Sequence, residues 1–413
     1  MVSPSIGRFS LFLASSPVQF CSTLAVIEHF QVNDAIILIE HNISASKDAM
    51  GAFASAALLK HPGLRLLHLR LERSAPPCRF PLLRAIRFLT YHKAQIDTVL
   101  KLELGIGLKD LGRHVHTVYF DFLHDYSSIV LDACRNSKRV LYPHGPILPM
   151  RQTVLDYPYL YRQRSLRTAI VWLRAQQAPL RLALTLIFMR LSRTVSSLLV
   201  FDGVDQVLTF RSNPPKILAD LVVLPNLKAV LNWFCDLPEW ATELKTWNSA
   251  LPPCAVILLL PECNQQRIWE ANRNFLSAHA ELICRVTRYV GSTHVVIKAH
   301  PRSDASAAAW LLERLQESLP ELTVEMLPGS LHRLPVEALA MSATMAAACS
   351  MGSCSLPSDI GIDVPHFVSP VASAIFDAGW VQPFWHNYEK GALMLMDEGI
   401  CRNIDLCPAE CAL

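Results

Sequence analysis

The stretch Ser10–Glu40, SLFLASSPVQFCSTLAVIEHFQVNDAIILIE, carries the decisive pattern. Leu11–Ala14 are apolar and run into a Ser-Ser-Pro step; a 3.6-period segment follows, and AIILIE closes the unit. An apolar run that does not alternate with polar residues belongs to a strand buried on both faces, which is the parallel-sheet case. Strand Ser10–Ala14, helix Val18–Phe30 and strand Ala35–Glu40 therefore form one βαβ unit.

The rhythm continues outward. Arg65–Leu71 is predicted as a strand and Leu82–Leu102 as a long helix. Thr117–Leu123, Ser127–Asn136 and Arg139–Tyr142 read as strand, helix and strand, and Gln206–Phe210 as a further strand. The polar stretch 235–253 reads as an inter-domain linker. Beyond it the alternation restarts with strand Ala255–Leu260, helix Glu262–Tyr289, strand His294–Lys298, helix Asp304–Leu319 and strand Leu322–Met326. A short helix at Val336–Met341 and strands at Ala346–Ser350 and His366–Val368 complete it. Repeated β and α units of this kind predict doubly wound sheets. The expectation is an α/β protein of two Rossmann-like domains, residues 1–240 and 254–413, facing each other across a cleft.

Composition agrees. The chain has 413 residues, more than one core readily supports, and is 51% hydrophobic but 18% charged, which excludes a disordered chain. A formal net charge of +3 gives no general case for a nucleic-acid partner. The 12 cysteines form no C-x-x-C pair and no spacing suited to zinc, so a reduced, cytoplasmic protein without disulfides or a metal centre is expected. No apolar run reaches the roughly 18–20 residues that span a bilayer. The segment 162–193 is unusual in holding seven arginines and no acidic residue, with Trp172, Leu182 and Phe188 among them. It fits either a helix lying peripherally on the anionic inner leaflet or a core helix with a solvated arginine face.

Phosphate-binding signatures of the G-x-G-x-x-G and G-x-x-x-x-G-K-[ST] types are absent, as are the G-x-S-x-G elbow and H-E-x-x-H. That argues against a dehydrogenase, an NTPase, a serine hydrolase and a zinc protease. Polar residues at strand ends in the second half remain. His300-Pro301 follows HVVIK, and an X-Pro step favours an extended exit that projects His300 from the sheet edge. Such a histidine can donate to a phosphate or protonate a leaving group. Glu337 follows Pro335 in a helix's first turn, where it could accept from ribose hydroxyls or simply complement the helix dipole. Gly352, Ser353 and Ser355 lie in a loop after an apolar strand, where hydroxyls and amides either bind an anion or cap a helix. At three successive junctions these residues suggest a nucleotide pocket, with His300, Ser353 and Ser355 on phosphate and Glu337 on ribose.

With those residues in view, the chain resembles the bacterial sialyltransferases and polysialyltransferases. The resemblance lies in Ser16-Pro17-Val18-Gln19 after the opening strand, Lys298-Ala299-His300-Pro301, Pro335-Val336-Glu337 and Gly352-Ser353-Cys354-Ser355. It implies a GT-B fold and an inverting, metal-independent glycosyltransferase without a cofactor. The implied reaction moves sialic acid or a related nonulosonic acid from a CMP donor to a cell-surface glycan or glycolipid, as in capsule or surface-polysaccharide synthesis. It also implies donor contacts from His300, Pro301, Glu337, Gly352, Ser353 and Ser355. The sequence departs from those families where they carry an acidic base, reading Tyr142-Pro143-His144-Gly145-Pro146 instead. His144 is therefore the expected base, with Asp121 and Asp125 as alternatives near the preceding strand end. The HG step also resembles the polyol-phosphate transferases of teichoic-acid synthesis, which use CDP-linked donors. A non-catalytic nucleotide-sugar-binding protein is the remaining alternative.

Overall fold

The structure is a computed structural model that describes residues 7–14, 16–40, 44–69, 81–120, 125–142, 205–210, 221–224, 226–260, 273–300, 305–342, 345–351, 364–378 and 401–407. The chain divides into two compact units. Unit 1 comprises Met1–Asn42, Phe53–Thr209 and Lys216–Leu224; unit 2 comprises Ile43–Ala52, Phe210–Pro215 and Pro225–Leu413.

In unit 1 the first strand, β1 (Phe9–Ala14), is buried along its whole length, as is β2 (Ala35–Glu40). Between them runs α1 (Pro17–Phe30). Ser16 caps that helix by accepting a hydrogen bond from the Gln19 amide at 3.3 Å, and Pro17 occupies its first turn. The helix stops at Gln31, whose φ of 51° places it in the left-handed region that ends α-helices. Next come α2 (Ser44–Lys60), of which only Phe53–Lys60 belongs to this unit, β3 (Arg65–Leu69), α3 (Pro81–Leu104), α4 (Leu111–His114) and β4 (Val115–Phe120). α5 (Asp125–Ala133), β5 (Lys138–Leu141), β6 (Gln206–Thr209) and β7 (Leu221–Val223) complete the unit. The sheet order is β3-β2-β1-β4-β5-β6-β7, and every pairing is parallel. Leu11, Leu13, Ile36, Leu38 and Val118 pack with Ile96 and Leu100 of α3 and Ile129 and Val130 of α5. Each such fully buried aliphatic contributes about 1.5–3 kcal/mol of transfer free energy.

The long C-terminal part of unit 2, Pro225–Leu413, opens with α6 (Leu227–Cys235) and α7 (Ala241–Ala250). The stretch read as a linker is thus folded helix. Trp240 is buried and donates its indole N–H to the Phe234 carbonyl, while Leu244 and Trp247, three residues apart, fill one buried face of α7. Its polar residues are the solvated face of an amphipathic helix. The rest is β8 (Ala255–Leu259), α8 (Arg273–Val290), β9 (His294–Lys298), α9 (Ala305–Ser318) and β10 (Thr323–Met326). A 3₁₀ turn (Gly329–Arg333), α10 (Val336–Ser342), β11 (Met345–Ser350), β12 (His366–Val368), α11 (Pro370–Ala378) and β13 (Arg402–Asn403) follow. The order β10-β9-β8-β11-β12-β13 is again wholly parallel and reverses direction between β8 and β11. Val256, Leu258, Val295 and Ile297 pack under Phe275, Leu282 and Val286 of α8 and Leu311 and Leu315 of α9.

Among the described residues, no helix is long and apolar enough to cross a membrane. The arginine-rich segment 162–193 lies outside them.

Candidate functional site

In doubly wound sheets ligands sit beyond the carboxyl ends of the strands, near the point where strand order reverses. In unit 2 that edge is formed by the ends of β8, β9, β10 and β11. The apolar run of β9 closes on Lys298, which pairs in register with Leu259 of β8; the Lys298 carbonyl accepts from the Leu260 amide at 3.1 Å. His300 stands two residues further on, half-buried at the strand exit.

The connection after β10 folds back over this edge. The Leu327 amide donates to the Ile297 carbonyl at 2.9 Å, and the chain turns through Gly329 with a φ of +22°. A side chain at Gly329 would be strained by this positive φ, and its Cβ, 2.8 Å from Glu243 Oε1 of α7, would push that carboxylate aside. Ser330 Oγ donates to the other Glu243 oxygen, which secures the turn to α7. Lys298 Nζ donates to the His332 carbonyl at 3.2 Å. After Leu334 and Pro335, α10 begins, and the Pro335 carbonyl accepts from the amides of Ala338 and Leu339 at 3.1 and 3.2 Å. Glu337, in that first turn, is 1% exposed.

The electrostatics of this edge follow from burial. Desolvation pushes the Lys298 ammonium down to about 8, and the neighbouring Glu337 charge opposes the shift. Desolvation also lowers His332, reinforced by the Lys298 charge and opposed by its hydrogen bond with the Leu327 backbone and by Glu243. On β11, Ser350 Oγ shares a 2.8 Å hydrogen bond with Nε2 of His366 on β12, and both side chains are buried. Burial pushes His366 down to about 3, so its imidazole is neutral at physiological pH.

Of the residues expected from the sequence, the structure places His300 at the carboxyl end of β9 and Glu337 in the first turn of α10 on the same edge, where the Glu337 charge acts on Lys298. Asp125 opens α5, but its side chain lies outside the described residues, as do His144, Asp121, Pro301, Gly352, Ser353 and Ser355. Two residues were missed. Lys298 was legible as a cation ending an otherwise apolar buried run. His332 gave no signal, because it contributes its backbone carbonyl rather than its side chain. In unit 1, Tyr142 precedes the segment carrying His144. Its hydroxyl donates to the Leu13 carbonyl and accepts from Thr23 Oγ1 at 3.1 Å, joining the end of β5 to β1 and α1. A cavity of about 560 Å³ between α3 and α5 includes Leu108, Lys109 and Asp110, from the segment that leads into β4. It therefore lies toward the amino edge of the sheet. Its Lys101 and Asp97 form an ion pair at 2.6 Å, so its charge is largely compensated within the protein.

No known family profile matches the sequence, and no curated protein does. Similarity appears among solved structures. UDP-GlcNAc 2-epimerase from Neisseria meningitidis, bound to UDP-GlcNAc, is 12% identical, with 93% of this chain and 94% of that chain covered at a TM-score of 0.46. The UDP-GlcNAc 2-epimerase of Methanocaldococcus jannaschii is 12% identical, with coverages of 87% and 83% and a TM-score of 0.43. The ADP-heptose LPS heptosyltransferase II of E. coli is 13% identical, with coverages of 95% and 100% and a TM-score of 0.36. Such distant likenesses leave substrate and reaction open, and the architecture rests on the strand orders themselves. By those orders this chain is an α/β protein of two Rossmann-like units, the class of architecture to which the GT-B enzymes belong.

Proposed function

We propose that the protein is a glycosyltransferase of the GT-B kind whose C-terminal unit binds a nucleotide-activated sugar. The observation that carries this reading is the convergence of Lys298, His300, the 3₁₀ turn and Glu337 on the carboxyl edge of a 3-2-1-4-5-6 parallel sheet. The motif resemblance favours a CMP donor carrying sialic acid or a related nonulosonic acid. In the proposed reaction an acceptor hydroxyl oxygen attacks the anomeric carbon while the bond from that carbon to the phosphate oxygen breaks. The bond's electron pair leaves with CMP, and His144 takes the hydroxyl proton. His300, with Ser353 and Ser355, stabilises the charge growing on the phosphate, the electrostatic contribution that usually dominates such catalysis. Glu337 accepts from the ribose.

The Tyr142-Pro143-His144-Gly145 sequence favours one alternative, a polyol-phosphate transfer from a CDP-linked donor. Thermal unfolding with CMP, CDP, UDP and GDP, followed by donor-consumption assays, separates the readings. CMP is expected to stabilise the protein most, with CMP-sialic acid consumed. Preferential stabilisation by UDP or GDP overturns the CMP assignment, and consumption of CDP-glycerol alone favours the polyol transferase. His300→Ala is expected to weaken CMP binding about tenfold or more, the loss of one charge-assisted hydrogen bond; unchanged affinity removes His300 from the site.

A further inference from the structure

We propose that Lys298 is a positioning residue of the nucleotide site, tying from inside the fold the strand that presents His300 to the turn and helix that present Glu337. The inference deepens the functional reading above and rests on it for the ligand.

The geometry is specific. Lys298 is 7% exposed, so its ammonium faces the protein interior rather than the solvent-facing side of the edge. Its Nζ donates to the His332 carbonyl, 34 residues away in sequence. That bond joins the end of β9 to the 3₁₀ turn directly ahead of α10. Its charge also acts on Glu337, one turn into α10 and almost wholly buried. A buried carboxylate needs a compensating cation to remain charged, and a carboxylate is what a ribose-accepting group requires. One side chain therefore fixes the backbone of one segment and the charge of the next, and its own main chain leads two residues on to His300.

The groups facing the Lys298 ammonium are the Glu337 carboxylate on α10 and the His332 imidazole on the 3₁₀ turn, and Glu243 of α7 interacts in turn with His332. Burial brings the Lys298 ammonium to about 8. The phosphate of CMP, with a second pKa of about 6, is already a dianion there.

The test measures CMP affinity by calorimetry from pH 6.5 to 9.5 for the wild type, Lys298→Met and Lys298→Arg. Wild-type affinity is expected to fall about tenfold as pH rises through about 8, on the scale of one buried charged hydrogen bond. Lys298→Met is expected to bind about tenfold more weakly at pH 7 with no such fall, and Lys298→Arg to bind without the fall up to pH 9.5, because its guanidinium keeps its proton. Lys298→Met with wild-type affinity, or with the same pH profile, overturns the proposal. Urea unfolding of Lys298→Met, Glu337→Gln and the double variant gives an independent cycle, in which non-additivity supports the positioning contact and additivity overturns it. If the wild type binds none of the four nucleotides, the functional reading fails, while the cycle still decides whether Lys298 and Glu337 act together.

Discussion

His279 and His366 lie wholly inside unit 2, on α8 and β12. His279 Nδ1 hydrogen-bonds to the Phe275 carbonyl at 2.8 Å, and its ring packs against Phe275 and Phe376. Burial pushes it down to about 4, and His366 to about 3. An unfolded histidine titrates near ~6.5. Between that value and the depressed folded values the unfolded chain binds more protons, so stability falls as pH falls below about 6.5. Each histidine is expected to contribute on the order of 1 kcal/mol per pH unit across that window. Urea unfolding between pH 7 and 5 reads this directly, and a flat profile counts against both assignments. Lys298 acts at the other end of the scale. Its folded value is also depressed, so the cost of burying its charge is relieved as pH rises from about 8 toward its ordinary range.

At the scale of elements, two contacts set how the helices and strands of unit 1 meet. A Cβ at Gly112 of α4 would lie 2.4 Å from the Ala133 carbonyl oxygen at the end of α5. Backbone cannot give way as a flexible side chain can, so Gly112→Ala is expected to destabilise by about 1–3 kcal/mol, read by urea unfolding. Tyr142→Phe removes the hydroxyl between Leu13 and Thr23 and leaves two buried groups short of a partner. The expected cost is about 1–3 kcal/mol, and a variant as stable as the wild type would show that this bond contributes nothing net. Most elements of both sheets were legible, because strands such as AVILL and HVVIK are buried on both faces and so read as unbroken apolar runs. β7 and β13 escaped notice; with three and two residues they are too short to carry a pattern. α7 was misread because only Leu244 and Trp247 of its ten residues are buried, and a sparse apolar stripe resembles a polar loop until the surface it covers is known.

For the whole molecule, the functional reading predicts where a ligand acts. At a concentration one hundred times its dissociation constant, a nucleotide stabilises the unit that binds it by about 2.7 kcal/mol. Amide exchange with CMP bound is expected to slow at the end of β9, the 3₁₀ turn and the start of α10. Protection confined to unit 1 would move the donor site to the other sheet. The sequence by itself determined that this chain builds two parallel sheets and that polar residues stand at their strand ends, because burial on both faces and strand-to-helix turns leave local, periodic marks. It also singled out His300 and Glu337. Only the tertiary structure decided that Lys298 turns inward to the His332 carbonyl, where the Glu337 charge acts on it, that Tyr142 ties β5 to Leu13 and Thr23, and that residues 241–250 form a packed helix. These contacts join residues 34 to 129 positions apart or depend on a surface made elsewhere in the fold, so no local periodicity encodes them.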